Sequence, residues 1–221
     1  MAALEGVGAT VVLANGSPDA ASGVDQSAVS MVVQGPFSYQ GAVEAGVRSV
    51  LHKYGRLDVL INLPHTPSYA PASEVSDQTF TDGMALHTGT VYRWCRVVGA
   101  HMAGQKRGHL ITFVSGLARR GLVNGSAFGM SQAALDSMVQ SLALEWASVG
   151  VRVNGIGYGW VDTERRPLDE QQKERLVRFL PLRSKGHPDD YMGLMIYLAS
   201  DASGFVTGQT VFIDGGAMAH A

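Results

Sequence analysis

The apolar residues of this chain alternate between two spacings, and this alternation restricts its fold more than any other feature. Short runs rich in Val, Ile and Leu are separated by longer segments with apolar residues at helical spacing. This pattern is typical of a parallel sheet with helices on both faces, because parallel strands need crossover helices. We therefore predict an α/β protein with a doubly wound parallel sheet of about six strands. The predicted strands are Ala9–Ala14, Met31–Gln34, Leu57–Leu63, Leu110–Ser115, Val151–Gly157 and Thr210–Asp214.

Composition and charge indicate one domain and disfavour several kinds of partner. The 221 residues are 46% hydrophobic, and no linker or repeat divides them, so a single domain over residues 1–221 is predicted. Lys+Arg 17 against Asp+Glu 19 leaves no positive surplus for nucleic acid. No apolar run approaches the roughly 18 residues of a membrane span, and the chain does not begin like a signal peptide, so a cytoplasmic protein is expected. The seven histidines and the one cysteine, Cys95, show no metal-ligand spacing; Cys95 is predicted to pack in the core.

Four blocks of sequence, in a fixed order, resemble the classical short-chain dehydrogenases/reductases (SDRs). The blocks are LDVLIN at 57–62, VRVNGI at 151–156, GWVDT at 159–163 and LASDASGFVTGQTVFIDGG at 198–216. The resemblance runs from Met1 to about Met218. It implies a Rossmann-like domain and, in most members, NAD(P)-dependent oxidation or reduction of a hydroxyl or carbonyl group.

The positions that carry proton transfer in that family are changed here. The family has a tyrosine followed four residues later by a lysine, but this helix reads SAFGMSQAAL at 126–135, so the two positions are Phe128 and Gln132. Phenylalanine has no ionisable proton, and an amide carries no charge with which to shift a pKa. Leu86 stands at the family's asparagine. The retained residue is Ser115, thirteen residues before Phe128; it either polarises a substrate carbonyl or merely caps the strand end.

The family's dinucleotide-binding turn has no clear counterpart in the sequence. Family members begin with a strand and a glycine-rich turn that holds the pyrophosphate at a helix N-terminus. Here residues 1–13 align with the end of the first helix and the second strand, so we expect an N-terminally truncated fold without the first strand and that turn. A rival alignment makes Val11 to Asn15 the first strand and Gly16 to Gly23 its loop. Either way, we predict no cofactor in this chain, and direct pairing of Ala9–Ala14 with Leu57–Leu63.

Several other residues are candidate contacts of the former substrate pocket. His65 and His87 lie near altered motif positions and are candidate bases. Arg119 and Arg120 follow Ser115 and are either a solvated pair or a grip for a carboxylate or an acyl-CoA phosphate. Tyr158 replaces a family proline and is predicted to fill space there.

These changes favour a non-catalytic subunit, a pseudoenzyme. The resemblance implies assembly with an active SDR paralogue, as a heterodimer or heterotetramer, through the helices at 76–104 and 126–149 and the C-terminal helix and strand. The NAD would then lie in the partner subunit. The pattern of loss resembles that of the cofactor-free subunit of a hydroxyacyl-CoA dehydrogenase from anaerobic toluene and benzylsuccinate degradation. The alternative is a cofactor-independent lyase, isomerase or hydrolase that uses Ser115 with a nearby histidine; a ligand-binding sensor is a third reading.

Overall fold

The computed structural model describes residues 2–16, 29–63, 67–162, 164 and 166–219. All strand pairs in this part of the chain are parallel. The strands are β1 Val12–Asn15, β2 Met31–Gln34, β3 Val59–Asn62, β4 Gly108–Ser115, β5 Val151–Tyr158 and β6 Thr210–Ile213. The helices are α1 Ala2–Glu5, α2 Gln40–Tyr54, α3 Asp77–Met84, α4 Thr90–Gln105, α5 Ser126–Trp146, α6 Leu168–Gln171 and α7 Met192–Ala199.

The predicted α/β class, the parallel orientation and the number of strands are confirmed. Strand β4 shows why its sequence is a continuous apolar run, because both of its faces are buried. Leu110 and Val114 belong to the core on the α2, α4 and α5 side. Ile111 and Phe113 alternate with them and pack in the core on the α7 side.

The predicted pairing of Ala9–Ala14 with Leu57–Leu63 is wrong. Strand β1 pairs with β2, with Val12 opposite Met31, and β3 begins a separate ladder in the order β3-β4-β5-β6. The physical reason lies in α2, which connects β2 to β3 and buries Val43, Val47 and Val50 in the same core that both ladders contact. That packing fixes the β1-β2 pair at its own position. Most of the rival loop, Gly16 to Gly23, lies outside the described residues.

Helices α4 and α5 approach each other closely at one glycine. A Cβ atom built on Gly99 would lie 2.3 Å from ring carbons of Trp146, the last residue of α5. Gly99 therefore makes room for the indole, which packs against the core. No described helix is long and apolar enough to cross a bilayer.

This close approach predicts opposite effects of one substitution at two glycines of α4. Gly99→Ala is expected to lower the free energy of unfolding by about 1–3 kcal/mol, because the new methyl group overpacks against Trp146. Gly104→Ala meets nothing within 4 Å and is expected to raise it by up to about 1 kcal/mol through helix propensity. Urea denaturation of the two variants measures both values. Equal effects would contradict the packing argument.

Candidate functional site

The carboxyl ends of β4 and β5 bring two hydroxyl side chains together. Ser115 is paired with Tyr158 in the parallel register, at the last residue of each strand. In open parallel α/β sheets, ligands bind outside these strand ends. Ser115 is buried and Tyr158 is partly exposed, so the pair extends from the interior to the surface of the crevice.

Ser115 is held by two neighbouring groups. Its backbone N–H donates to Oε1 of Gln132 at 2.9 Å. Its hydroxyl accepts from the backbone N–H of Leu117 at 3.3 Å and thereby caps the short 3₁₀ turn Gly116–Ala118. The strand-end capping predicted for Ser115 is therefore seen in the structure, and its role towards a substrate carbonyl stays a prediction.

The phenol of Tyr158 is kept neutral by its surroundings. Burial raises the pKa of Tyr158 to about 12, and the neighbouring Ser115 side chain partly opposes that rise. The phenols of Tyr69 and Tyr191 act electrostatically in the same direction as burial. At physiological pH Tyr158 is therefore a hydrogen-bond donor and not a base. This adds a chemical role to the space-filling expectation from sequence.

The two altered family positions, Phe128 and Gln132, lie on the buried face of α5. The Phe128 ring meets the ring of Tyr69 edge-on at 6.1 Å and that of His87 at 5.1 Å between centroids. Gln132 uses its carbonyl oxygen to hold Ser115, as described above. Phe128 therefore forms part of an aromatic wall, and Gln132 stabilises the end of β4 through its hydrogen bond with Ser115.

A π-helical turn, Ala85–Gly89, decides which residue of the helical segment faces this wall. Leu86 is 48% exposed, whereas His87 is buried and packs against Phe128. Turns of this kind are frequent at functional sites.

His65 lies outside the described residues. The hydrogen bonds given above for Ser115 run to Gln132 and Leu117, and the serine–histidine alternative stays a prediction.

The two arginines that follow Ser115 are engaged within the chain. Arg119 donates through Nε to Oδ2 of the buried Asp136 at 2.9 Å, and its guanidinium lies 4.8 Å from the centroid of the Phe212 ring. Arg120 donates to the backbone oxygen of Ala217 at 3.1 Å. An anionic ligand would have to compete with these contacts. The expectation that they grip a carboxylate or phosphate therefore has less support than the sequence suggested.

Cys95 packs in the core as predicted. It is fully buried in α4, where the Nδ2 group of Asn62 lies 3.3 Å from Sγ. Burial raises the pKa of the thiol to about 12, so it holds little of the reactive thiolate at neutral pH.

Sequence reasoning missed Tyr69 and Asp136 as neighbours of these groups. Tyr69 lies in the loop after β3, where no motif marks it, and its contact with Phe128 arises only from folding. Asp136 follows Gln132 by one helical turn on the buried face of α5. A carboxylate on the buried face of a helix, one turn after Gln132, could have predicted a basic partner nearby.

A family model described as enoyl-(acyl carrier protein) reductase matches residues 2–218. The chain belongs to the SDR family. This SDR chain is 36% identical to the BbsC subunit of (2S)-[(R)-hydroxy(phenyl)methyl]succinyl-CoA dehydrogenase from Thauera aromatica, over 81% of this chain and 71% of that protein. It is 31% identical to 2-dehydro-3-deoxy-D-gluconate 5-dehydrogenase from Pseudoalteromonas atlantica, over 82% of this chain and 73% of that protein.

Solved structures agree with the SDR fold. A gluconate 5-dehydrogenase from Burkholderia cenocepacia, in complex with NADP and tartrate, superposes with a TM-score of 0.87 at 22% identity. The match covers 99% of this chain and 89% of that one. An NAD⁺-bound xylitol dehydrogenase gives a TM-score of 0.87 at 22% identity, over 97% and 92% of the two chains. At these identities the likeness establishes the fold.

The expectation that this chain holds no cofactor is wrong. The curated relatives include several named as dehydrogenases, and a neighbour of the same fold was solved with NADP. The expectation rested on the lack of a recognisable glycine-rich turn, and most of its rival location, Gly16 to Gly23, lies outside the described residues. In this fold the crevice is built largely by backbone at the strand ends.

The hydrogen bond from Ser115 to Gln132 can be tested by removing its acceptor. Gln132→Leu is expected to lower the free energy of unfolding by about 1–3 kcal/mol, because the buried N–H of Ser115 loses its partner. Gln140→Leu, at an exposed position of the same helix, is the matched control and should stay within about 0.5 kcal/mol. Chemical denaturation measures the two changes, and similar values for both would refute a structural task for Gln132.

Proposed function

We propose that this chain is one subunit of a hetero-oligomeric, NAD-dependent SDR dehydrogenase that acts on a hydroxyacyl-CoA. The observation that carries the proposal is the pair Phe128 and Gln132 at the proton-transfer positions of an SDR fold. The 36% identity to a protein named as a dehydrogenase subunit supports it. The partner is an SDR paralogue with the tyrosine and lysine in place.

The side chains around Ser115 support the proposal that this chain needs a partner subunit for turnover. Oxidation of an alcohol requires a base for the hydroxyl proton, and a positioned base or acid typically contributes about 10²- to 10⁴-fold in rate. Phe128 cannot take a proton, and the raised pKa of Tyr158 makes it a poor base at neutral pH. Turnover by this chain alone should therefore be slower than that of an intact paralogue by about that factor.

The described residues fit a nicotinamide dinucleotide in this chain's own crevice. Gly16 and Gly35 follow β1 and β2 side by side, since a Cβ on Gly16 would lie 3.8 Å from the Gly35 carbonyl oxygen. Both glycines lie beside the buried Phe37 ring, which is 3.4 Å from where a Cβ on Gly35 would stand, and the cofactor would lie at these strand ends. Ser115 and Tyr158 would stand near its nicotinamide end. When bound, the cofactor exchanges a hydride with the carbon that bears the substrate oxygen.

Exposed apolar residues support the proposed contact with a partner. One stripe of α5 carries small, apolar or uncharged side chains at helical spacing, and Leu144 in it is 86% exposed. The exposed members of this α5 stripe are Met130, Ala133, Ser137, Gln140 and Leu144. A second group, Tyr197, Phe205 and Val211, is exposed around the C-terminal helix and strand. Apolar patches of this kind favour burial against another subunit.

Co-expression with an SDR paralogue that has the tyrosine and lysine in place tests the assembly. The two chains are expected to form one complex in native mass spectrometry, with NAD-dependent oxidation of a hydroxyacyl-CoA at least tenfold faster than either chain alone. Leu144→Glu should weaken the complex by at least tenfold, because the charge would be buried at the interface. Leu168→Glu, on the exposed helix α6, is the matched control and should have no effect.

Two outcomes would contradict this proposal. One is a monodisperse homomer of this chain with full turnover of its own. The other is equal weakening of the complex by both glutamate variants, which would show that the α5 stripe is not the contact surface.

A further inference from the structure

Helix α4 contains a half-buried cation whose charge is not balanced within the described part of the chain. Among the described residues Arg93 takes part in no ion pair, and its Nε atom is buried without a hydrogen-bond partner. We propose that Arg93 binds a carboxylate group of the partner subunit, so that this chain selects an SDR paralogue with an acidic residue opposite α4. This inference rests on the proposed function and adds to it the residue that recognises the partner.

The guanidinium group of Arg93 has hydrogen-bonding capacity left for a second chain. It has five N–H donors, and Nη2 donates to Oγ1 of Thr90 at 3.2 Å. An N–H group that is buried without an acceptor costs free energy. If the side chain turns outwards, it gives up one bond to a neutral hydroxyl, and Nε and an Nη group can then bind both oxygens of a carboxylate. A carboxylate therefore supplies the acceptor that Nε lacks.

Arg93 lies beside the surface that we propose above as the contact with the partner. In the π-helical turn before α4, Thr88 donates to the backbone oxygen of Ser131 at 3.1 Å, and further along α4 Gly99 packs against Trp146. Helix α4 therefore runs alongside α5 and its exposed stripe. The exposed residues at every fourth position of α4 are Tyr92, Arg96, Ala100 and Gly104. Arg93 is next to this α4 stripe in the first turn of the helix.

The charges of these helices favour an acidic partner. No Asp or Glu occurs between Asp82 and Asp136, so α4 contains arginines and no acid. Asp136 of α5 is buried and is bound to Arg119. In a two-fold contact between copies both chains present the same surface, so Arg93 and Arg96 would approach the arginines of the other α4. Like charges at a contact oppose binding, whereas an acidic helix of another chain would attract these groups.

Affinity measurements on the complex with the SDR paralogue test this assignment. Arg93→Met keeps an unbranched side chain and removes the charge. It is expected to weaken the complex at least tenfold, because the partner's carboxylate loses its cation. It should also reduce the dependence of the dissociation constant on salt. Arg48→Met removes an exposed cation of α2 and is the matched control, which should leave the affinity unchanged.

Two further measurements separate a contact role from a structural one. Since the buried Nε atom has no partner in the described chain, Arg93→Met should leave the melting temperature of the free chain unchanged or raise it. In a charge exchange, Arg93→Glu should break the complex. Arginine at one exposed acidic position of the partner's surface helices, with the positions changed one at a time, should restore it.

Three outcomes would overturn the assignment. The first is an unchanged affinity of Arg93→Met for the paralogue. The second is a lower melting temperature of Arg93→Met together with no rescue in the charge exchange. The third is a homomer of this chain that Glu145→Gln weakens as much as Arg93→Met, because Glu145 is the exposed acid of α4 and α5 that a second copy could offer.

The failure of this inference can be told apart from the failure of the proposed function. If no SDR paralogue binds this chain, the proposed function is contradicted and this inference with it. If a paralogue binds and Arg93→Met binds it equally well, the inference alone is contradicted.

Discussion

The eight-residue parallel ladder between β4 and β5 is the interaction on which the rest of this molecule depends. It runs from Gly108 opposite Val151 to Ser115 opposite Tyr158, and the cores on both faces pack against it. Because side chains alternate between faces, a shift of one residue would exchange the two cores. The buried apolar residues on both sides therefore fix the register. That register, in turn, sets two hydroxyl groups side by side at the crevice.

Helix α5 connects the core to the crevice. Its inner face buries Leu135, Val139 and Leu142 in the core and presents Phe128 and Gln132 to the end of β4. The side-chain carbonyl of Gln132 accepts the hydrogen bond from the backbone N–H of Ser115, so this residue also stabilises the strand end.

Much of the fold was predictable, because burial on both faces leaves long apolar runs that mark each strand. Strand β2 was located to the residue, and β4 and β5 within two residues of their observed ends. The pairing of β1 was not predictable, since its short apolar run would suit either neighbour. Helix α2 determined this pairing. Its buried valines pack in the core and hold β2, and with it β1, away from β3. The family resemblance likewise located Ser115, Phe128 and Gln132 along the chain, but the expectation of no cofactor, drawn from the missing glycine-rich turn, was wrong.

The sequence by itself determined the α/β class and the SDR family, because these follow from residue type and spacing along the chain. Only the tertiary structure decided that Tyr158 lies opposite Ser115, that His87 and not Leu86 faces Phe128, and that Arg119 is paired with Asp136. The physical reason is that these contacts join residues from different elements. Their distances depend on strand register, on one π-helical turn and on helix packing, none of which a linear pattern of residues records.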